Sequence, residues 1–166
     1  PHAATDIDGI TQTYDKNGNL VYTSNGLSNI WNYRNELIQS VTTSGTTTYT
    51  YDHSGQRVTK SHGTSTTLYP FGHYEVKNGE VNKHIYLDDM LVATVEDDTP
   101  APKIYYNHLN HLGSTNVVTG DDGYINQVLD YKPFGDTRID DQYDSINQSN
   151  RFAGHDYDEE TSMTYM

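Results

Sequence analysis

The chain has 166 residues and carries Lys+Arg 10 against Asp+Glu 23, a formal net charge of −13 with a pI near 4.7. That balance argues against nucleic acid and anionic membrane as partners, because a phosphate backbone requires clustered Lys and Arg and the ten here are scattered. With no Cys there is no disulfide framework, no thiolate nucleophile and no Cys-based zinc site.

Only 33% of residues are hydrophobic, and Tyr contributes 15 of them, so the core is expected to lean on phenol rings. The length fits one domain or one piece of a larger repetitive body. No run of 18 apolar residues occurs, and the start Pro1-His2-Ala3-Ala4-Thr5-Asp6 does not read as a signal peptide.

Taken in order, the chain reads as β-hairpins. Tyr14, Tyr33, Tyr51, Tyr69, Tyr86 and Tyr105 are separated by 19, 18, 18, 17 and 19 residues. Two of them share a continuation, Tyr14-Asp15-Lys16-Asn17-Gly18 and Tyr51-Asp52-His53-Ser54-Gly55, with Tyr33-Arg34-Asn35-Glu36-Leu37 as a shortened version. In each, an aromatic ends a strand, Asp or Asn opens the turn and Gly takes positive φ. The runs Thr46–Tyr51 and Thr64–Tyr69 alternate, predicting Thr outward and aromatic or Leu inward.

Asn78-Gly79 predicts a tight hairpin between Tyr74–Val76 and Val81–Leu87, and Asp88-Asp89 links to the apolar run Met90–Val95. Residues 1–95 therefore read as hairpin repeats, 96–102 as a short acidic, proline-bearing connector, and 103–166 as a continuation of the same sheet. Thr115–Thr119 and Tyr124–Tyr131 flank the turn Gly120-Asp121-Asp122-Gly123. The exit Pro133-Phe134-Gly135 is expected to turn Phe134 inward, and Asp136–Asn150 reads as an extended polar loop. The fold expected is all-β, antiparallel hairpin repeats in a continuous twisted or spiralling sheet.

These residues resemble the Rhs/YD-repeat proteins, a family that includes Rhs toxins, Tc-toxin C components, wall-associated bacterial proteins and teneurins. The YD-G spacing carries the resemblance from Tyr14 to about Val95. The second half resembles the Rhs repeat-associated core segment through His111-Leu112-Gly113-Ser114, Asp122-Gly123, Tyr131-x-Pro133-Phe134-Gly135, Arg151-Phe152-x-Gly154 and Tyr157-Asp158-x-Glu160-Thr161. Asn110 and Ser162-Met163 depart from the usual Asp and Gly-Leu. The resemblance implies a strip of sheet spiralling into a shell that encloses a toxin effector. It also implies autoproteolysis in some members, at a segment beyond this chain, and that activity is not carried over.

The competing chemistries are weaker on the residues. His108-x-x-His111 with Asp121, Asp122 or His155 is a candidate metal set, but a corner of hydrogen-bonded strand ends accounts for it better. Asp15-Lys16-Asn17-Gly18-Asn19 and Asp121-Asp122-Gly123 resemble the beginnings of calcium loops without the distal Glu. The pairs Asp140-Asp141 and Glu159-Glu160 suit a solvated face, and no G-x-S-x-G elbow occurs.

The expectation is therefore a structural β-repeat module, not an enzyme, without cofactor or metal. It would be extracellular or at the cell surface, pairing with neighbouring repeats or identical chains as part of a toxin-encapsulating shell or a fibre. The alternative is a glycan- or surface-binding module with Trp31 as its stacking platform.

Overall fold

A computed structural model describes residues 3–97, 101–144 and 146–165. Residues 98–100 of the expected connector lie outside them. The chain divides into two compact units, Pro1–Tyr69 and Pro70–Met166.

The first unit runs β1 (Asp6–Ile7), β2 (Ile10–Tyr14), β3 (Leu20–Thr23), β4 (Ser28–Trp31), β5 (Leu37–Thr42), β6 (Gly45–Tyr51), β7 (Arg57–His62) and β8, which begins at Ser65 and ends at Phe71. Each strand pairs antiparallel with its sequence neighbour, so the order in space is the order in the chain. In the second unit β9 (Tyr74–Lys77), β10 (Glu80–Leu87), β11 (Met90–Glu96), β12 (Lys103–Leu109), β13 (Thr115–Gly120), β14 (Ile125–Tyr131) and β15 (Thr137–Gln142) do the same. A strap follows, with one 3-10 turn at Phe152–Gly154 and a separate ribbon of β16 (Asp156–Asp158) and β17 (Met163–Tyr165).

The all-β, antiparallel hairpin expectation is met, because every connection between paired strands is short enough to force neighbours together. Three local expectations are corrected. Tyr33 ends no strand: it sits in a turn, 93% exposed, and Trp31 closes β4 in its place. Thr67 is buried and Leu68 is 42% exposed, because Thr67 shares its face with Tyr69 by the period of two. The polar stretch after Asp136 is not all loop, since Thr137–Gln142 pairs with β14 as an edge strand.

The buried faces are unusually polar. In the first unit Ser40, Thr47, Asn29 and Arg57 are buried beside Tyr49. Ser40 Oγ donates to Asn29 Oδ1 at 2.7 Å, and the Arg57 guanidinium lies 4.8 Å from the centre of the Tyr69 ring. The second unit has the more apolar core: Leu91, Ala93, Tyr105, Val118 and Leu129 are buried, and Ile146 of the strap closes over Tyr105 and Val118.

Candidate functional site

The Tyr-Asp-x-x-Gly motif is a turn with two jobs. Asp15, Asn32, Asp52, Asn110 and Lys132 each open a loop in which the residue three places on donates its N–H back to the opening carbonyl, at 3.0 to 3.3 Å. The opening N–H in turn donates to the carbonyl four places on, so the ladder steps by one residue beside the preceding strand end, as between Thr13 and Tyr14 or Asp130 and Tyr131. Positive φ falls on Gly18, Gly55, Gly113 and Gly135, and on Asn35 (φ 61) where the sequence has no glycine.

In four of these turns the opening side chain caps the loop. Asp15 Oδ1 accepts from the N–H groups of Asn17 and Asn19, Asn32 Oδ1 from Arg34 and Glu36, Asp52 Oδ1 from Ser54 and Gln56, and Asn110 Oδ1 from Leu112 and Ser114. Asn110 therefore does the work of the Asp expected by the resemblance. The side-chain hydrogen bond from Asn19, above all, holds the Asp15 carboxyl below its ordinary value, and that from Ser54 does the same for Asp52.

The aromatic before the turn supplies the second job. Trp31 Nε1 donates to Leu20 O at 2.8 Å, Tyr51 Oη to Leu37 O at 2.8 Å and Tyr131 Oη to Thr115 O at 2.8 Å. Each acceptor is the first residue of the strand immediately before the aromatic's own, β3, β5 and β13, so the polar tip ties its hairpin to the one before it. This explains the preference for Tyr over Phe: the position needs an apolar body and a donor tip. Trp31 is half-buried in this role, with its only ring N–H committed to the sheet.

In the second unit the other motifs converge on the strap. Arg151 is buried and spends its donors locally: Nε on Gln148 O at 2.9 Å, Nη1 on Asp140 Oδ2 at 3.0 Å, and Nη2 on Asn147 Oδ1 at 2.8 Å and Glu159 Oε1 at 3.1 Å. Its guanidinium also lies 4.7 Å from the Tyr157 ring centre. Phe152 packs edge-on against Tyr131 at 5.7 Å, and a Cβ on Gly135 would come within 2.9 Å of Phe152 Cδ1. Ser114 Oγ accepts from Ala153 N at 2.9 Å, and Thr115 Oγ1 donates to Asn150 O at 2.9 Å. Burial pushes the Tyr131 hydroxyl well above the usual phenol range, so it remains a donor.

His111, Leu112 and Phe134 stay outside this clasp. Phe134 is 98% exposed, correcting the expectation that it turns inward: it occupies the tip of the Lys132–Asp136 loop, and the inward ring is Phe152 instead. His108 Nε2 pairs with Thr119 Oγ1 at 3.0 Å while His111 is an exposed turn residue, so the two imidazoles do not converge. Among the described residues no group of three His, Asp or Glu side chains is placed to hold a metal ion. The paired acids separate: Asp140 and Glu159 serve the same guanidinium.

Sequence reasoning missed the amides that seat the strap. Gln148 donates to Asn107 Oδ1 at 2.8 Å through its side chain and to Gln127 Oε1 at 3.0 Å through its backbone. Gln127 Nε2 reaches Asp140 Oδ1 at 2.7 Å. The amide-rich run Asn147-Gln148-Ser149-Asn150 directly before Arg151 was the available signal.

No family model matches the chain. The crystal structure of TcdB2-TccC3 without its hypervariable C-terminal region superposes with a TM-score of 0.71 at 17% identity, covering 94% of this chain and 11% of that one. The likeness shows the fold. The Photorhabdus luminescens Tc holotoxin pore gives a TM-score of 0.66 at 18% identity over the same 94% of this chain.

In sequence, the chain is 27% identical over 188 aligned residues to the tRNA3(Ser)-specific nuclease WapA of Bacillus spizizenii and to the tRNA(Glu)-specific nuclease WapA of Bacillus subtilis subsp. natto. Each match covers 98% of this chain and 7% of the relative's length. Together these likenesses support the resemblance to Rhs/YD-repeat toxins and a structural repeat module. They overturn one expectation: the relatives are named as nucleases, so the reading of a protein with no enzymatic role is withdrawn.

Proposed function

We propose that the chain is a wall segment of an Rhs/YD-type shell within a longer, secreted toxin protein whose enzymatic part acts on tRNA. The observation that carries this reading is the pairing of near-complete coverage of this chain with small coverage of the proteins it resembles, 98% against 7%. A piece so placed contributes a wall to a larger enzyme. Its hairpins suit that role: Trp31, Tyr51 and Tyr131 each tie their hairpin to the one before it, and the strap is locked over the sheet by Arg151. At a net charge of −13 the wall repels tRNA, which favours tRNA contact by the enzymatic part. A glycan platform at Trp31 draws less support, since its indole N–H is taken up by Leu20 O.

The test uses the full-length protein containing this chain. Its activity on tRNA is measured intact and after limited proteolysis or mild urea that loosens the sheet. Activity that is latent in the intact protein and rises on loosening supports an enclosing wall. Equal activity in both states contradicts enclosure.

A further inference from the structure

Along one margin of the second unit lie the Asp88-Asp89 turn between β10 and β11, the Asn110–Ser114 loop between β12 and β13, and the Lys132–Asp136 loop between β14 and β15. Each follows the last by two strands, about 10 Å at the usual spacing, and each carries large apolar side chains into solvent. Leu87 and Met90 flank the first, Leu112 (56% exposed) tops the second, and Phe134 tops the third. The turn itself asks for none of these: at the same third place the other loops of this kind carry Asn17, Arg34 and Ser54. Leu112 and Phe134 are also held as a pair. The Phe152–Gly154 turn is wedged between their loops, with Ala153 N donating to Ser114 Oγ at 2.9 Å on one side and the Phe152 ring against Gly135 on the other. At the opposite margin Tyr124 and Tyr143 are exposed, on neighbouring strand ends joined by Tyr143 N to Asn126 O at 2.8 Å.

A strip of hairpins gains strands at its ends, where edge N–H and C=O groups remain, but no ladder continues beyond its turns. Another strip can therefore join it sideways only by side-chain packing, and a row of exposed apolar tips is what such a joint requires. We propose that the Leu87–Met90, Leu112 and Phe134 tips form a seam that packs against the hairpin turns of another winding of the same polypeptide. The seam presupposes that the chain is part of the wall proposed above. The relatives supply the occupant: this chain spans 7% of their length, so most of such a strip lies elsewhere in the same molecule, at a high effective concentration.

The test places a photo-crosslinking p-benzoylphenylalanine at Leu112, at Phe134 or at the mid-strand Tyr106 of the full-length protein and maps the links by mass spectrometry. Positions 112 and 134 should link to hairpin turns of the same polypeptide outside residues 1–166, and position 106 should not. Phe134→Ser leaves the backbone bonds of its loop in place, Gly135 N to Lys132 O and Lys132 N to Asp136 O, so the hairpin still folds. Amide exchange across residues 110–114 and 132–136 should quicken about tenfold in that variant, as the seam opens. Links confined to this chain, to a second copy or to the enzymatic part, no links at all, or unchanged exchange in Phe134→Ser overturns the seam. Links as expected in a protein whose tRNA activity is not latent leave the seam in place and contradict only the enclosure of the enzymatic part.

Discussion

Replacing Arg151 with Met probes the strap most sharply. The guanidinium side chain is 4% exposed, against 26% for Asp140 and 54% for Glu159. Removing one partner of a fully buried ion pair costs about 3–5 kcal/mol, because the other charge is stranded. Here water reaches Glu159, which contributes under about 1 kcal/mol, and partly relieves Asp140. Gln148 O and Asn147 Oδ1 each lose a donor, about 1 kcal/mol apiece. The total is about 3–5 kcal/mol, or roughly 6–20 °C in melting temperature for a chain of this size. Lys at the same position keeps the charge but not the fork, and should recover only part of the loss. Urea unfolding gives the energy, and hydrogen exchange locates it, with faster exchange expected across residues 146–158. A loss below about 1 kcal/mol with unchanged exchange in that stretch would refute the clasp.

Other substitutions separate the two jobs of the motif. Gly135→Ala should cost about 2–3 kcal/mol and Gly113→Ala about 1 kcal/mol, since both hold positive φ (+93 and +78) but only the first meets Phe152; urea midpoints measure the difference. Tyr131→Phe and Tyr51→Phe should each lose about 0.5–1.5 kcal/mol, leaving the Thr115 and Leu37 carbonyls without their donors. Asp15 and Asp52 have carboxyls held below 3.8 in the fold, so their stabilisation is complete above the unfolded value and is lost as pH falls through the folded one. Asn at both positions, as nature has at Asn32 and Asn110, should preserve neutral-pH stability and flatten the acid limb of a pH–melting curve.

The sheet was legible because turn chemistry is local. Asp15, Asp52 and the glycines three residues beyond them announce their loops in the sequence, and Asn78-Gly79 announces its hairpin. The turn opened by Asn32 reads two residues out of step in the sequence because Asn35 stands where Gly is sought and Trp31 where Tyr is sought. The edge strand Thr137–Gln142 was missed because its side chains are almost all exposed and carry no alternation. The strap site was illegible for a different reason. Thr115 meets Asn150 across 35 residues and Gln148 meets Asn107 across 41, and buried amides at such separations leave no periodic trace. Polar residues in that stretch looked like solvent-facing loop, whereas Gln148 and Arg151 take partners that the sheet brings to them, Asn107 and Asp140.

The most direct measurement of the central claim is a cryo-electron microscopy structure of the full-length protein that contains this chain. The account predicts these hairpins embedded in a continuous wall around an interior that holds the enzymatic part. A structure in which the hairpins project away from that part, with no wall between it and solvent, would contradict it.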